Sequence, residues 1–306
     1  MLLGLGDDCA AVCLSGTTLL TTDALIEEVH FRRSWTSLRT LGHKAFAVNA
    51  SDIASMGGVP TFALLSLGLP AEFLVEELNE FFDGFVAEAS VYGAVLVGGN
   101  MSAAPCLMIS VTLLGKAPYG VVSRGGMRVG EGLYVTGTLG DAALGLRLLQ
   151  QGEKSGSAVE RFLRPSARLQ AGQLLARRKL VGGMIDVSDG LLQDLGHLCA
   201  ESHVGAVVEG HRLPLSQACT DPSTKLRAGL VAGRDWELAL SGGEDYELLF
   251  SAPMGRVRSL QRVTRESGCP ITCIGRVVEK DKGIVVVDEA GRRCKIKGKG
   301  YDHFSP

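Results

Sequence analysis

The run Met184-Ile185-Asp186-Val187-Ser188-Asp189-Gly190 sets two carboxylates and a hydroxyl side by side in the chain. Its alternation of apolar and polar residues predicts the end of a buried strand, and Gly190 opens an amphipathic run over 191–199. Side chains alternate faces along a strand, so Asp186 and Ser188 should point the same way while Asp189 begins a turn. Such a corner can hold a hard cation on its carboxylates, or an anion on the free N–H groups of the helix. It can equally be a plain helix cap through Ser188 or Asp189. The theme returns in Ser241-Gly242-Gly243-Glu244-Asp245-Tyr246-Glu247, where acidic groups sit at a glycine turn before Leu248-Leu249-Phe250. It occurs near the N-terminus too, in Gly6-Asp7-Asp8 and Thr21-Thr22-Asp23. There a hairpin turn at Ser15-Gly16-Thr17-Thr18 would bring Asp8 and Asp23 to adjoining strand ends. Clustered carboxylates repel, so they are either solvated turn residues or ligands of a cation.

Helices and strands must position these groups. A helix is expected over 41–56, with Leu41, Ala45, Val48 and Ile53 near one face and an unusual polar load of Lys44, Asn49, Ser51 and Asp52. Gly57-Gly58-Val59-Pro60 ends it. A strand follows over 61–69, then a helix over 71–89 whose Phe73, Leu74, Leu78, Phe81, Phe82 and Phe85 form a packing stripe. Gly98-Gly99-Asn100 reads as a glycine turn at a strand end, and 107–114 as the next strand. The glycine-rich segment 115–130 reads as a connection between domains; its Ser123-Arg124-Gly125-Gly126-Met127-Arg128 offers an arginine that can fork onto phosphate oxygens. No G-x-x-x-x-G-K-[ST] loop occurs. Beyond it, strands are expected over 132–136, 206–209, 271–278 and 283–287, with helices over 142–151 and 254–267. A chain of 306 residues exceeds the usual size of one core. The expected architecture is therefore α+β in two domains, 1–120 and 121–306, the first a mixed sheet covered by helices.

Composition narrows the partners. The balance of 31 basic against 33 acidic residues leaves no footprint for nucleic acid or an anionic membrane. No apolar run approaches a bilayer span, and no basic segment followed by an apolar stretch marks an N-terminal signal. The 8 cysteines contain no C-x-x-C pair, which suits small buried thiols in a reducing compartment, and the cytoplasm is the expected location.

The ordered set Gly6-Asp7-Asp8, Thr21-Thr22-Asp23, His30-Phe31, Asn49-x-Ser51-Asp52, Gly98-Gly99-Asn100, Arg124-x-Gly126, Asp186-x-Ser188-Asp189-Gly190, Gly243-Glu244-Asp245-Tyr246-Glu247 and Gly300-Tyr301-Asp302-His303-Phe304 resembles the thiamine-monophosphate kinase family over nearly the whole chain. That family belongs to a larger group of ATP-dependent enzymes typified by aminoimidazole ribonucleotide synthetase. The resemblance implies a homodimer whose N-terminal sheets join into a barrel, and transfer of the ATP γ-phosphoryl group to thiamine monophosphate with several Mg²⁺ ions. Carried over motif by motif, Asp186 and Asp52 would be central to catalysis. Asp8, Thr21, Thr22, Asp23, Asp52, Asn100, Asp186 and Asp189 would hold metal. Arg124, Ser188, Gly99 and Asn100 would contact ATP, and His30, Glu244 and Tyr301 would lie along the thiamine phosphate. Family members often have aspartate where this chain has Asn100, and they usually carry a short segment before the first acidic motif. An acceptor that is already an anionic phosphate needs little from a general base, so an aspartate-rich site without a catalytic triad suits the chemistry. The alternatives are a superfamily relative that binds ATP without kinase turnover and an aminoimidazole ribonucleotide synthetase-like ligase. A selenophosphate synthetase would need a reactive residue in an N-terminal glycine- and lysine-rich motif. The hydrogenase-maturation relative would need a terminal cysteine, whereas this chain closes on Asp302-His303-Phe304-Ser305-Pro306.

Overall fold

The computed structural model describes residues 14–227 and 236–296. Strands β1 (Thr18–Ile26), β2 (Val59–Leu69), β3 (Val95–Ala103) and β4 (Met108–Lys116) form one sheet in the order β1-β4-β2-β3. β4 runs antiparallel to β1 and β2, and β2 is parallel to β3. Helices α1 (Leu38–Ser55) and α2 (Val75–Val91) cover one face, onto which Leu19, Leu25, Ala63, Leu65, Leu67, Ile109, Val111 and Leu113 are buried. The opposite face carries Leu20, Thr22, Leu64, Ser66, Met108 and Thr112, in register across the strands.

Several boundaries differ from expectation for local reasons. α1 starts at Leu38 because the Ser37 hydroxyl accepts the Thr40 N–H at 3.2 Å, an N-cap. α2 starts at Val75, not near 71, because the Leu74 N–H donates to Glu77 Oε2 at 3.0 Å. Leu74 is therefore an exposed cap, whereas Phe81 and Phe85 are buried as the stripe requires. Gly98, Gly99 and Asn100 do not form a turn: they lie inside β3, paired with Leu64, Leu65 and Ser66. α1 and α2 cross where neither can carry a side chain, since a Cβ on Gly42 would sit 2.1 Å from the Phe81 carbonyl and one on Gly84 1.8 Å from that of Arg39.

The second half holds β5 (Gly132–Thr136), α3 (Asp141–Gln150), α4 (Ser157–Leu163), α5 (Leu169–Arg177), β6 (Met184–Asp186), α6 (Leu191–Ser202), β7 (Gly205–Glu209), α7 (Gln217–Thr220), α8 (Pro222–Arg227), α9 (Glu237–Ser241), β8 (Leu248–Ala252), α10 (Val257–Ser267), β9 (Ile271–Val278) and β10 (Ile284–Val287). Its sheet runs β10-β7-β9-β5-β8-β6, antiparallel except for β10 against β7. Every residue of β5 and β8 is buried, as befits central strands covered on both faces. On one face Tyr134, Met184 and Phe250 share a continuous core with Leu169 and Leu175 of α5, Leu260 and Val263 of α10, and residues of α1. On the other, Leu133, Val135, Ile185 and Leu249 pack against Leu191, Leu195 and Leu198 of α6.

α1 thus lies between the two sheets, and this explains its polar load. It is buried almost throughout, so its polar side chains must find partners inside the protein. β6, only Met184–Asp186, is the edge strand that comes up against it.

Candidate active site

The Asp186–Gly190 corner is fastened from two sides. The Val187 N–H donates to the Glu247 carbonyl at 2.7 Å, the Tyr246 N–H to Val187 O at 2.8 Å, and the Glu244 N–H to Ser188 O at 2.7 Å. Gly243 allows this approach, because a Cβ there would meet Ser188 O at 2.4 Å. Glu244 and Tyr246 adopt left-handed backbone, φ 67° and 51°, a conformation sustained by this pairing. From the other side Asp194, in the first turn of α6, accepts the N–H groups of Ser188, Asp189 and Gly190 at 3.1, 3.2 and 3.1 Å. Asp194 thus braces the three residues that lead into α6; neither Ser188 nor Asp189 caps the helix, whose first turn has no side-chain cap. That releases Asp186, Ser188 and Asp189 to line the adjoining cavity.

Strand alternation decides the contribution of β1. Thr21 and Asp23 lie on the face covered by α1: Thr21 donates to Asp52, and the Asp23 N–H donates to Asn49 Oδ1 at 3.0 Å. Thr22, one residue along, lies on the opposite face, where its hydroxyl donates to Val111 O at 3.0 Å. It does not join the group. From α1, Ser51 donates to Asp186 Oδ2 at 2.6 Å, so one turn of helix touches β1 through Asp52 and β6 through Ser51.

Asp23, Asp52, Asp186 and Asp189 therefore converge on one cavity of about 420 Å³. Burial and the Asp52 carboxylate push Asp186 up to about 8. Burial, then Asp52 and Asp189, push Asp23 up to about 6. Burial raises Asp52 above the usual carboxylate range, while the Thr21 hydrogen bond and the charge of Arg124 pull it back. Burial, followed by Asp189, pushes Asp194 up to about 7 against the three N–H donors it accepts. Burial holds the Tyr246 phenol well above its ordinary range, with the surrounding carboxylates adding to the effect. Carboxylates held this close in the absence of a counter-charge repel one another. An all-oxygen donor set of this kind fits Mg²⁺, which takes carboxylate and water oxygens, and it does not suit softer metals.

Away from the acids the cavity is apolar and aromatic, with Phe31, Trp35, Leu146 and Phe162 in its wall and His30, Glu28 and Glu244 beside them. Trp35 and Phe162 meet edge to face at 6.3 Å, and the Arg32 guanidinium lies 4.8 Å over the Trp35 ring. The His30 Nδ1 accepts the Ile26 N–H at 3.0 Å, which fixes the ring at the end of β1.

The residues singled out from the sequence are therefore partly assembled. Asp23, His30, Asp52, Asp186, Ser188, Asp189 and Glu244 line the same cavity, and Thr21 supports it through Asp52. Arg124 is exposed on the segment that runs beside β6, where Ser123 O accepts the Met184 N–H at 3.1 Å, and its charge acts on Asp52. Gly99 and Asn100 stand on β3 at the far edge of the first sheet, with β2 and β4 between them and β1. Asp8 and Tyr301 lie outside the described residues. Sequence reasoning missed Asp194 and Tyr246; the Asp194 carboxylate four residues after Gly190 was the available signal.

The chain matches two family models, "AIR synthase related protein, N-terminal domain" over residues 6–117 and "AIR synthase related protein, C-terminal domain" over 128–288. It is 37% identical to the thiamine-monophosphate kinase of Escherichia coli K12, covering 99% of this chain and 92% of that one. It is 36% identical to the Aquifex aeolicus enzyme, covering 98% and 92%. Among solved structures, thiamine-monophosphate kinase from Stenotrophomonas maltophilia K279a superposes with a TM-score of 0.83 at 36% identity, over 96% of this chain and 92% of that one. The complex of AaThiL with AMPPCP and TMP gives 0.83 at 36%, over 98% and 92%.

Proposed function

This chain belongs to the thiamine-monophosphate kinase family of AIR synthase-related proteins, and from that premise we propose how it transfers the ATP γ-phosphoryl group to thiamine monophosphate, giving thiamine diphosphate and ADP. The observation that carries the reading is the convergence of Asp23, Asp52, Asp186 and Asp189, from both halves of the chain, on a cavity whose other wall is aromatic. Two polyanions must meet in the reaction, and the protein's work is to position them and manage their charge. Asp52 and Asp186, set side by side between the sheets, form the centre of the site; Asp23, Asp189 and the Thr21 hydroxyl complete the oxygen donors that would hold Mg²⁺. When bound, Mg²⁺ supplies charge neutralisation at the phosphate oxygens. Ser188 and Arg124 flank the side where the ATP phosphates would lie. His30 and Glu244 border the aromatic wall, which suits the flat rings of thiamine phosphate. No general base is assigned, because the accepting phosphate oxygen is already anionic at neutral pH. Within one chain, Thr22, Gly99 and Asn100 stand apart from the cavity: the Thr22 hydroxyl is on the opposite face of β1, and Gly99 and Asn100 are on the far edge strand.

The open face of the first sheet supports a homodimer. Leu20, Leu64, Val95 and Met108 are 69%, 38%, 43% and 40% exposed there, an apolar surface of the kind that self-associates. Among the described residues no helix is long and apolar enough to cross a membrane. A reaction that consumes ATP is in keeping with the cytoplasm. The test is thiamine diphosphate formation by purified protein, with thiamine monophosphate, ATP and Mg²⁺ each omitted in turn. Product that requires all three supports the kinase; binding of Mg-ATP without product would replace it with a non-catalytic nucleotide binder.

A further inference from the structure

Lys44, in the middle of α1, is only 2% exposed, and lysine is rarely buried to this degree without a partner. Its Nζ lies 3.2 Å from each oxygen of Glu244 and donates to the Phe162 carbonyl at 3.1 Å. The same ammonium sits 3.9 Å from the centroid of the Phe162 ring. One side chain thus ties α1 of the first half to α4 and to the 243–247 turn of the second. Glu244 lines the cavity at 24% exposure, whereas Lys44 does not reach it. The Glu244 backbone is left-handed and hydrogen-bonded to Ser188, so Lys44 controls what remains free, the direction of the carboxylate.

We propose that Lys44 is a positioning residue. It holds the Glu244 carboxylate in one orientation at the aromatic end of the cavity, ready for the cationic ring of the substrate, and does not itself touch substrate. The inference rests on the kinase reading above. A carboxylate fixed in advance loses no freedom when the cation arrives. Released from Lys44, it would turn toward water and meet the ring in many poses. The ATP side of the site lies with Ser188, Asp189 and Arg124, none of which Lys44 contacts.

The test is Lys44→Met in the full chain, which keeps most of the stem and removes the ammonium. We expect KM for thiamine monophosphate to rise about tenfold, the loss of one charge-assisted contact. KM for ATP and kcat should stay within about twofold. On a Glu244→Gln background, Lys44→Met should add little, because the two residues act as one unit. Equal rises in both KM values, a fall in KM for thiamine monophosphate, or an undiminished effect on the Glu244→Gln background would overturn the proposal. Should Lys44→Met not fold, Lys44→Gln retains a donor for Phe162 and should give a smaller change of the same pattern; an unchanged KM for thiamine monophosphate overturns the proposal there. Turnover by the unsubstituted protein tests the kinase reading separately. An active enzyme that fails the Lys44 prediction counts against Lys44 alone, and an inactive one overturns both.

Discussion

Asp186→Asn should remove activity and, in the absence of divalent cations, make the protein more stable. Asp186 is 4% exposed at the meeting point of β6 and α1, and burial and Asp52 raise its carboxyl from 3.8 to about 8. A carboxyl raised in this way lends its full stability below its unfolded value and loses it as pH climbs toward the folded one. Between about pH 4 and pH 7 the loss runs at about 1.4 kcal/mol per pH unit, on the order of 4 kcal/mol at neutrality. Asp52 shares that burden, so we assign roughly half, about 2 kcal/mol, to the substitution. Asparagine carries no charge and leaves an oxygen for the Ser51 hydroxyl. Urea unfolding in chelator should show the substituted and unsubstituted proteins equal near pH 4 and separated by about 2 kcal/mol near pH 7. Mg²⁺ should narrow the gap by stabilising the unsubstituted protein. Phosphoryl transfer should fall by at least about a hundredfold. A substituted protein no more stable than its parent at pH 7 would refute the electrostatic reasoning, whatever its activity.

Three further outcomes follow from the contacts described. Glu247 is wholly buried between Arg161, Arg168 and the Thr136 hydroxyl; Glu247→Ala strands two guanidinium groups and should cost about 3–5 kcal/mol in urea unfolding, and a loss below about 1 kcal/mol would show that water takes the place of the carboxylate. Asp194→Ala orphans three backbone N–H groups at the Asp186–Gly190 corner, and should lower stability by about 1–3 kcal/mol; an unchanged urea midpoint would mean that water satisfies these N–H groups as well as the carboxylate does. Leu20→Glu combined with Leu64→Glu puts charge on the open face of the first sheet and should yield monomers in light scattering, whereas a persistent dimer would place the subunit interface elsewhere.

The elements most legible in the sequence are those set by local pattern. The strand, corner and helix around Asp186–Gly190 need only alternation, glycine and a 3.6-residue apolar period, and they appear where expected. The α2 stripe is read correctly from Leu78 onward, whereas Phe73 and Leu74 precede the helix because the Glu77 carboxylate caps it at Leu74. Thr22 lies on the opposite face of β1 from Thr21 and Asp23. Alternation alone separates it from Thr21 and Asp23, but a motif carried over as a block treats its three residues alike. The reading of Gly98-Gly99-Asn100 as a turn fails because these glycines serve a parallel strand pairing that has no local signature.

By itself the sequence determined the two-part α+β organisation, the recurrent acidic corners and their kinship, because each depends on neighbours in the chain. Tertiary structure alone decided which corners meet. Asp23, Asp52 and Asp186 share one cavity because α1 is buried between two sheets, touching β1 through Asp52 and β6 through Ser51. Asn100 stands apart because strand order, not sequence distance, sets its place. Lys44 and Glu244 are 200 residues apart in the chain, and no periodicity couples groups at that distance. Their pairing follows from the need of a buried charge for a partner, which exists only once both halves have folded against the same helix.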